Sequence, residues 1–172
     1  HVAAIRELGH RYPWLDTGRV GITGQSAGGF AAARAVLMYP EFYRVAVAVS
    51  GNHDNGVNIA MWAEHYHGDV SVEGKRAISN ATLAANLQGK LLLIHGELDD
   101  NVHAYQTLRL VDALIKADKD FDMVMIPGVE HALIGRMHYF FRRTWDYFVR
   151  HLHGTEPPGY RLAPVPLPGL LG

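Results

Sequence analysis

Two stretches of this chain are apolar without a break. Val45 to Val49 contains only valine and alanine, and Leu91-Leu92-Leu93-Ile94 has no polar residue. A strand with one wet face alternates apolar and polar side chains. A strand covered on both faces does not, and such strands belong to parallel sheets sandwiched between helices. Val20 to Thr23 and Phe121 to Ile126 read as two further strands. Between them lie segments with helical spacing. Ala27 to Met38 is alanine-rich and apolar nearly all round, which suits a buried helix, and Pro40 lies just beyond its end. Ala104 to Ala117 carries Leu108, Val111, Leu114 and Ile115 along one side. Gly135 to Leu152 is amphipathic, its apolar face including Phe140, Phe141, Trp145 and Phe148, and Gly154 closes it. A shorter helix at the start carries Val2, Ile5 and Leu8 and is expected to close at Gly9. The expected fold class is α/β, a parallel sheet with helices on both faces.

At 172 residues the chain is one domain or part of one, against roughly 150 residues per domain. The expected division is 1–153 for the α/β domain and 154–172 for a proline-rich tail, extended and carrying Pro157, Pro158, Pro164, Pro166 and Pro168. The stretch from Gly51 to Ser79 is too long for a plain connection, and long loops are often functional. It holds a helical patch at Ile59 to Tyr66. A short helix at Ala81 to Leu87 follows, with Ser79 or Asn80 as its cap. Sixteen basic against seventeen acidic side chains give a net charge of -1, so no basic excess draws in nucleic acid. Cysteine is absent, which excludes disulfides, thiolate zinc sites and thiol nucleophiles. No apolar run approaches the roughly 18 residues that cross a bilayer. The chain opens at His1, without Met and inside a helical pattern, and reads as a piece of a longer protein. Nothing in it indicates a compartment.

Gly24-Gln25-Ser26-Ala27-Gly28-Gly29 follows a predicted strand and opens a predicted helix. That is the setting of a nucleophile elbow, a tight turn that exposes a serine above the sheet. Bulky neighbours would clash there, which accounts for Gly24 and Gly28. The helix start aims free N–H groups at the reaction centre, and the backbone N–H of Ala27 is placed for an oxyanion. A serine nucleophile needs a base, and the base an orienting carboxylate. In α/β-hydrolases they follow in the order Ser, Asp or Glu, His, in loops after later strands. His95 to His103 offers Glu97, Asp99 and Asp100 after the third strand. Pro127 to Ala132 offers His131 after the fourth. Spacing alone leaves the choice among the three acids open. His95, Asp99, Asp100 and His103 also have the look of metal ligands, but no matching pair stands out elsewhere, and neither metal nor cofactor is expected.

With these loops the sequence resembles the catalytic domain of the prolyl oligopeptidase family of serine peptidases, and within it the dipeptidyl peptidase IV branch. The family's G-x-S-x-G-G is matched by Gly24 to Gly29, and its H-G-x-x-D-D-N-V-H in full by His95 to His103. The resemblance runs from His1 to about Leu152. It implies the carboxy-terminal part of an α/β-hydrolase fold. It implies a triad of Ser26, Asp99 and His131, since the family's acid is the first of the paired aspartates. It implies proteolysis through an acyl-enzyme, as a dipeptidyl or oligopeptide cleavage after proline or a small residue. Asn101 is expected on the substrate backbone, and Val102, Trp62 and Tyr66 in the pocket for the residue before the cut. The implied partners are a peptide substrate, a β-propeller and first hydrolase half elsewhere in a parent chain, and a homodimer. Departures are Gln25 where the branch has Trp or Asn, Ala27 where it has Tyr, and Ser50 to Asn55 without the branch's aromatics. Competing readings are an esterase or acylaminoacyl hydrolase of the same fold, and a hydrolase-fold binding module without catalysis.

Overall fold

In the computed structural model, which describes residues 1–164, the uninterrupted apolar runs form the two inner strands of a four-stranded sheet. The strands β1 (Val20–Gln25), β2 (Tyr43–Val49), β3 (Lys90–Gly96) and β4 (Asp122–Ile126) lie side by side in chain order, each parallel to the next. The helices are α1 (Val2–Arg11), α2 (Ala27–Met38), α3 (Ala60–His67), α4 (Val72–Ala77), α5 (Tyr105–Lys116) and α6 (Met137–Phe148). Side chains alternate across the sheet and fill two cores. Ala46, Ala48, Leu91 and Leu93 face α2 and α5, where Val36, Leu37, Leu110 and Leu114 are fully buried. Val45, Val47, Leu92 and Ile94 face the other way, onto Phe140 and Tyr147 of α6. Helices on both faces explain why β2 and β3 carry no polar alternation.

Several elements depart from the expectation. On α5, Leu108 and Ile115 are exposed, while Gln106 and Thr107 are buried beside Leu110 and Leu114. Buried polar partners set that rotation. Thr107 Oγ1 meets His95 Nδ1 at 2.7 Å, and Gln106 Nε2 donates to Asn58 Oδ1 at 3.2 Å. On α6, Phe141 and Trp145 stack on each other in solvent, and Asp146 turns inward. Asp146 there takes Arg142 at 2.9 Å and the Tyr160 hydroxyl at 3.0 Å. The helix α1 runs past Gly9 to Arg11, and the segment foreseen as a helix at Ala81 to Leu87 is a 3-10 helix, Asn80–Asn86. The helix α4 was not foreseen, because its Glu-Gly-Lys-Arg core has no apolar period; Ser71 Oγ caps it through Gly74 N. After the last helical turn the chain carries no helix or strand up to residue 164. Pro166 and Pro168 lie outside the described residues.

Leu93 is fully buried in β3, whereas Leu108 is 45% exposed. We expect Leu93→Ala to cost about 2–5 kcal/mol of unfolding free energy and Leu108→Ala about 0.5 kcal/mol or less. Urea unfolding followed by circular dichroism measures both, and similar losses would contradict the placement of α5.

Candidate active site

Ser26 joins β1 directly to α2, with φ 59° and ψ -121°. That conformation costs a non-glycine residue on the order of 1–3 kcal/mol. The surroundings hold it in place. Ser26 N donates to Val49 O on the neighbouring strand at 2.9 Å, and Ser26 O accepts the first helical bond from Phe30 N at 3.0 Å. A Cβ at position 24 would collide with the backbone of Gly28, which is why glycine is required there. The turn leaves Ser26 half-buried at the start of α2 and Ala27 exposed in the first turn. N–H groups in a first turn have no intrahelical acceptor.

Asp99 follows β3 and its carboxylate is fully buried. A buried charge is tolerated only when hydrogen-bonded. Oδ1 accepts from Val102 N at 2.8 Å and Asn101 N at 3.1 Å, and Oδ2 accepts from His131 Nδ1 at 2.7 Å. With its Nδ1 proton on Asp99, His131 presents Nε2 as an acceptor. The loops after β3 and β4 are laced together by Glu97 N to Ile126 O and Leu98 N to Val129 O, both 3.0 Å. Gly96 allows this, since a Cβ there would press on the Val129 and Glu130 carbonyls. The three acids left open by spacing go three ways. Asp99 meets His131, Glu97 Oε2 accepts from Gly128 N at 3.1 Å, and Asp100 is exposed.

The backbone of His131 is tied toward the serine turn. Its carbonyl accepts from Gln25 Nε2 at 2.9 Å and from Ser50 Oγ at 3.4 Å. Among the described residues no hydrogen bond joins Ser26 Oγ to the imidazole. Asn101 is exposed, and Val102 is buried with its N–H on Asp99. The rings of Trp62 and Tyr66 on α3 lie 4.6 Å apart, tilted by 39°, with Trp62 half-buried and Tyr66 exposed. Where the branch's aromatics are absent, Asn52 Nδ2 donates to Asn55 Oδ1 at 2.6 Å. Among the described residues no three His, Cys, Asp or Glu side chains are disposed to hold a metal ion. No helix among them is long and apolar enough to cross a membrane.

Sequence reasoning missed the support behind these groups. The tether from Gln25 carries no motif of its own. His95, which has the look of a metal ligand in the sequence, is buried with Nε2 2.8 Å from Val102 O and 3.1 Å from Asp99 Oδ2. His53 is also buried, with Nδ1 3.1 Å from Asn80 Nδ2. Burial lowers the pKa of both rings, and for His53 burial together with repulsion from His95 brings it to about 3.

The prolyl oligopeptidase family model matches residues 1–155. The chain is 29% identical over 163 residues to venom dipeptidyl peptidase 4 of Vespula vulgaris, a match covering 88% of this chain and 21% of that protein. It is 32% identical over 144 residues to dipeptidyl peptidase 8 of Homo sapiens, covering 77% of this chain and 15% of that protein. Porphyromonas gingivalis dipeptidyl peptidase 4 has a solved structure that superposes with TM-score 0.77 at 28% identity, over 86% of this chain and 22% of its own. A solved Bacteroides ovatus structure superposes with TM-score 0.83 at 30% identity, over 88% and 22%. The chain thus spans between 15% and 22% of the length of these relatives. Four parallel strands, the helices around them and these neighbours identify the fold as an α/β-hydrolase fold.

Buried neutral histidines make stability depend on pH. Below the ordinary value of 6.5 the unfolded chain takes protons that folded His53 refuses until about pH 3. Stability is therefore lost as pH falls through this window, by up to about 1.4 kcal/mol per pH unit for each such ring. Urea midpoints between pH 7 and 4 should fall with acid, and His53→Gln should reduce the slope. A flat profile would contradict the burial of these rings.

Proposed function

Because the chain belongs to the prolyl oligopeptidase family, we propose that it forms the reacting part of a serine peptidase, with Ser26 as nucleophile, His131 as base and Asp99 as its orienting carboxylate. The observation that carries this reading is the 2.7 Å bond from His131 Nδ1 to buried Asp99, in a histidine whose backbone carbonyl accepts from Gln25, the residue before Ser26. Ser26 Oγ attacks the scissile carbonyl carbon and passes its proton to His131 Nε2. The carbonyl oxygen becomes an oxyanion, received by the Ala27 N–H. The imidazolium, opposite ionised Asp99, then gives the proton to the departing amine as the C–N bond breaks. An acyl ester on Ser26 remains, and water activated by His131 hydrolyses it.

The substrate is a peptide cut after proline or a small residue, and dipeptide release is the mode that the relatives' names suggest. Asn101 meets the substrate backbone. Trp62, Tyr66 and Val102 line the pocket for the residue before the cut, where flat aromatic faces suit a proline ring. With alanine at 27 that pocket has one wall fewer, so small side chains are accepted beside proline.

A fluorophosphonate probe tests the nucleophile in the full natural chain. Labelling should fall on Ser26 and vanish in Ser26→Ala. Asp99→Asn should slow it by about 10³–10⁴-fold, while Asp100→Asn leaves it nearly unchanged. A panel of Ala-Pro, Gly-Pro and Ala-Ala amides, with matching esters, reads the substrate class. Labelling elsewhere, equal effects of the two aspartate changes, or cleavage of the esters alone would overturn the reading.

A further inference from the structure

We propose that His95 is a positioning residue for the Asp99–His131 pair, a second imidazole that shares its Nε2–H between the Val102 carbonyl and the Asp99 carboxylate and so tempers the pull of that carboxylate on His131. The proposal rests on the peptidase reading for its consequence in catalysis, though the contact itself does not.

The protonation state follows from the partners. Val102 O, 2.8 Å from Nε2, can only accept, so Nε2 carries the proton. The other nitrogen is then a bare acceptor, and Thr107 Oγ1 at 2.7 Å donates to it. The Val102 carbonyl thus fixes the tautomer, and the Thr107 hydroxyl on α5 completes it by donating to Nδ1. Asp99 Oδ2 lies 3.1 Å from the same Nε2, the oxygen that also takes the His131 proton at 2.7 Å. The carboxylate oxygen thus sits between two imidazoles.

The ring stays neutral for reasons of environment. Its side chain is fully buried, and burial disfavours its charged form. The groups facing it are Asp99 on its own loop, His131 from the loop after β4, His53 from the loop after β2, and Thr107. Burial is the larger effect; the Val102 carbonyl and Asp99 favour a positive charge there, and both other rings oppose it. A neutral N–H beside Oδ2 withdraws part of the carboxylate's charge without competing as a cation.

The second route runs through Val102. Its N–H is on Asp99 Oδ1 at 2.8 Å and its carbonyl is on His95. Both poles of one residue are occupied, so His95 also holds the turn that holds Asp99.

The test uses the full natural chain and two readouts. One is the pH dependence of acylation by a fluorophosphonate; the other is the low-field proton resonance of His131 Nδ1–H. His95→Leu should shift the acidic limb of the acylation profile upward by roughly 0.5–1 pH unit and move the resonance to lower field. His95→Gln, whose amide donates to Val102 O and accepts from Thr107, should return both toward the starting values. If circular dichroism shows His95→Leu unfolded, Thr107→Val carries the test, with the same direction and a smaller shift. A limb and resonance that stay in place, or move the other way, in a folded variant would overturn the proposal. If Ser26 is not labelled at any pH in the unsubstituted chain, the peptidase reading fails instead, and the His131 resonance still reports on His95.

Discussion

Each of the first three strands of this sheet is extended past its own end by one hydrogen bond to the next strand. Ser26 N donates to Val49 O, Ser50 N to Ile94 O, and Glu97 N to Ile126 O, at 2.8–3.0 Å. The three bonds form a stair that crosses from β1 to β4 along the carboxyl edge. They fix the heights of four loops relative to one another before any functional side chain is considered. Ser26 and Ser50, both just past a strand end, have positive φ, 59° and 46°. Strain of this kind persists only where the surroundings over-determine it. At Ser26 the surroundings are the stair bond, the start of α2 and a glycine packed against Gly28.

The buried carboxylate of Asp99 depends on that stair. It sits in a turn after β3, yet its principal side-chain partner comes from the loop after β4. Two backbone N–H groups and one imidazole N–H satisfy it directly, and His95 lies against it. Removing any one of them leaves a buried charge short of a donor, and such losses are large because the low dielectric gives no compensation. The same enclosure separates Asp99 from Asp100, which is solvated and free of these constraints. Two neighbouring residues of one type thereby acquire different chemistry.

The sheet was legible because its signal is local. Unbroken apolar runs gave β2 and β3, and glycines at fixed spacing around one serine gave the turn between β1 and α2. The faces of α5 and α6 were less so. Apolar spacing put Leu108, Ile115, Phe141 and Trp145 inside, and all are exposed. What rotates these helices is polar, Thr107 on His95, Tyr147 on Asp122 and Asp146 on Tyr160, and a hydrogen bond from a helix to another part of the chain leaves no period in the sequence. Among the acids, spacing left Glu97, Asp99 and Asp100 equal, and only the motif match separated them. The placement of His131 beside Asp99 was legible from chain order. The bond from Gln25 to the His131 carbonyl was not, since a glutamine there looks like any exposed polar residue.

Gln25 also bears on how chemistry and selectivity are divided along this chain. Its side chain spans from the serine turn to the loop of His131, so the position is occupied by a tether and not by a pocket wall. Ala27 offers no wall either. The remaining pocket candidates, Trp62 and Tyr66, stand on α3 within the long segment after β2. That segment is anchored by His53 on Asn80, by Asp54 N to Gln106 Oε1 at 3.4 Å and by Asp54 to Arg109 at 2.6 Å. None of these anchors belongs to the stair or touches Asp99. His53 faces His95, but the side chains of α3 can change without breaking a hydrogen bond to the carboxylate, the imidazole or the serine turn. Under the proposed reading, a chain built in this way separates the groups that react from the side chains that would select a substrate, with Asn52 and Asn55 joined to each other where the branch has aromatics.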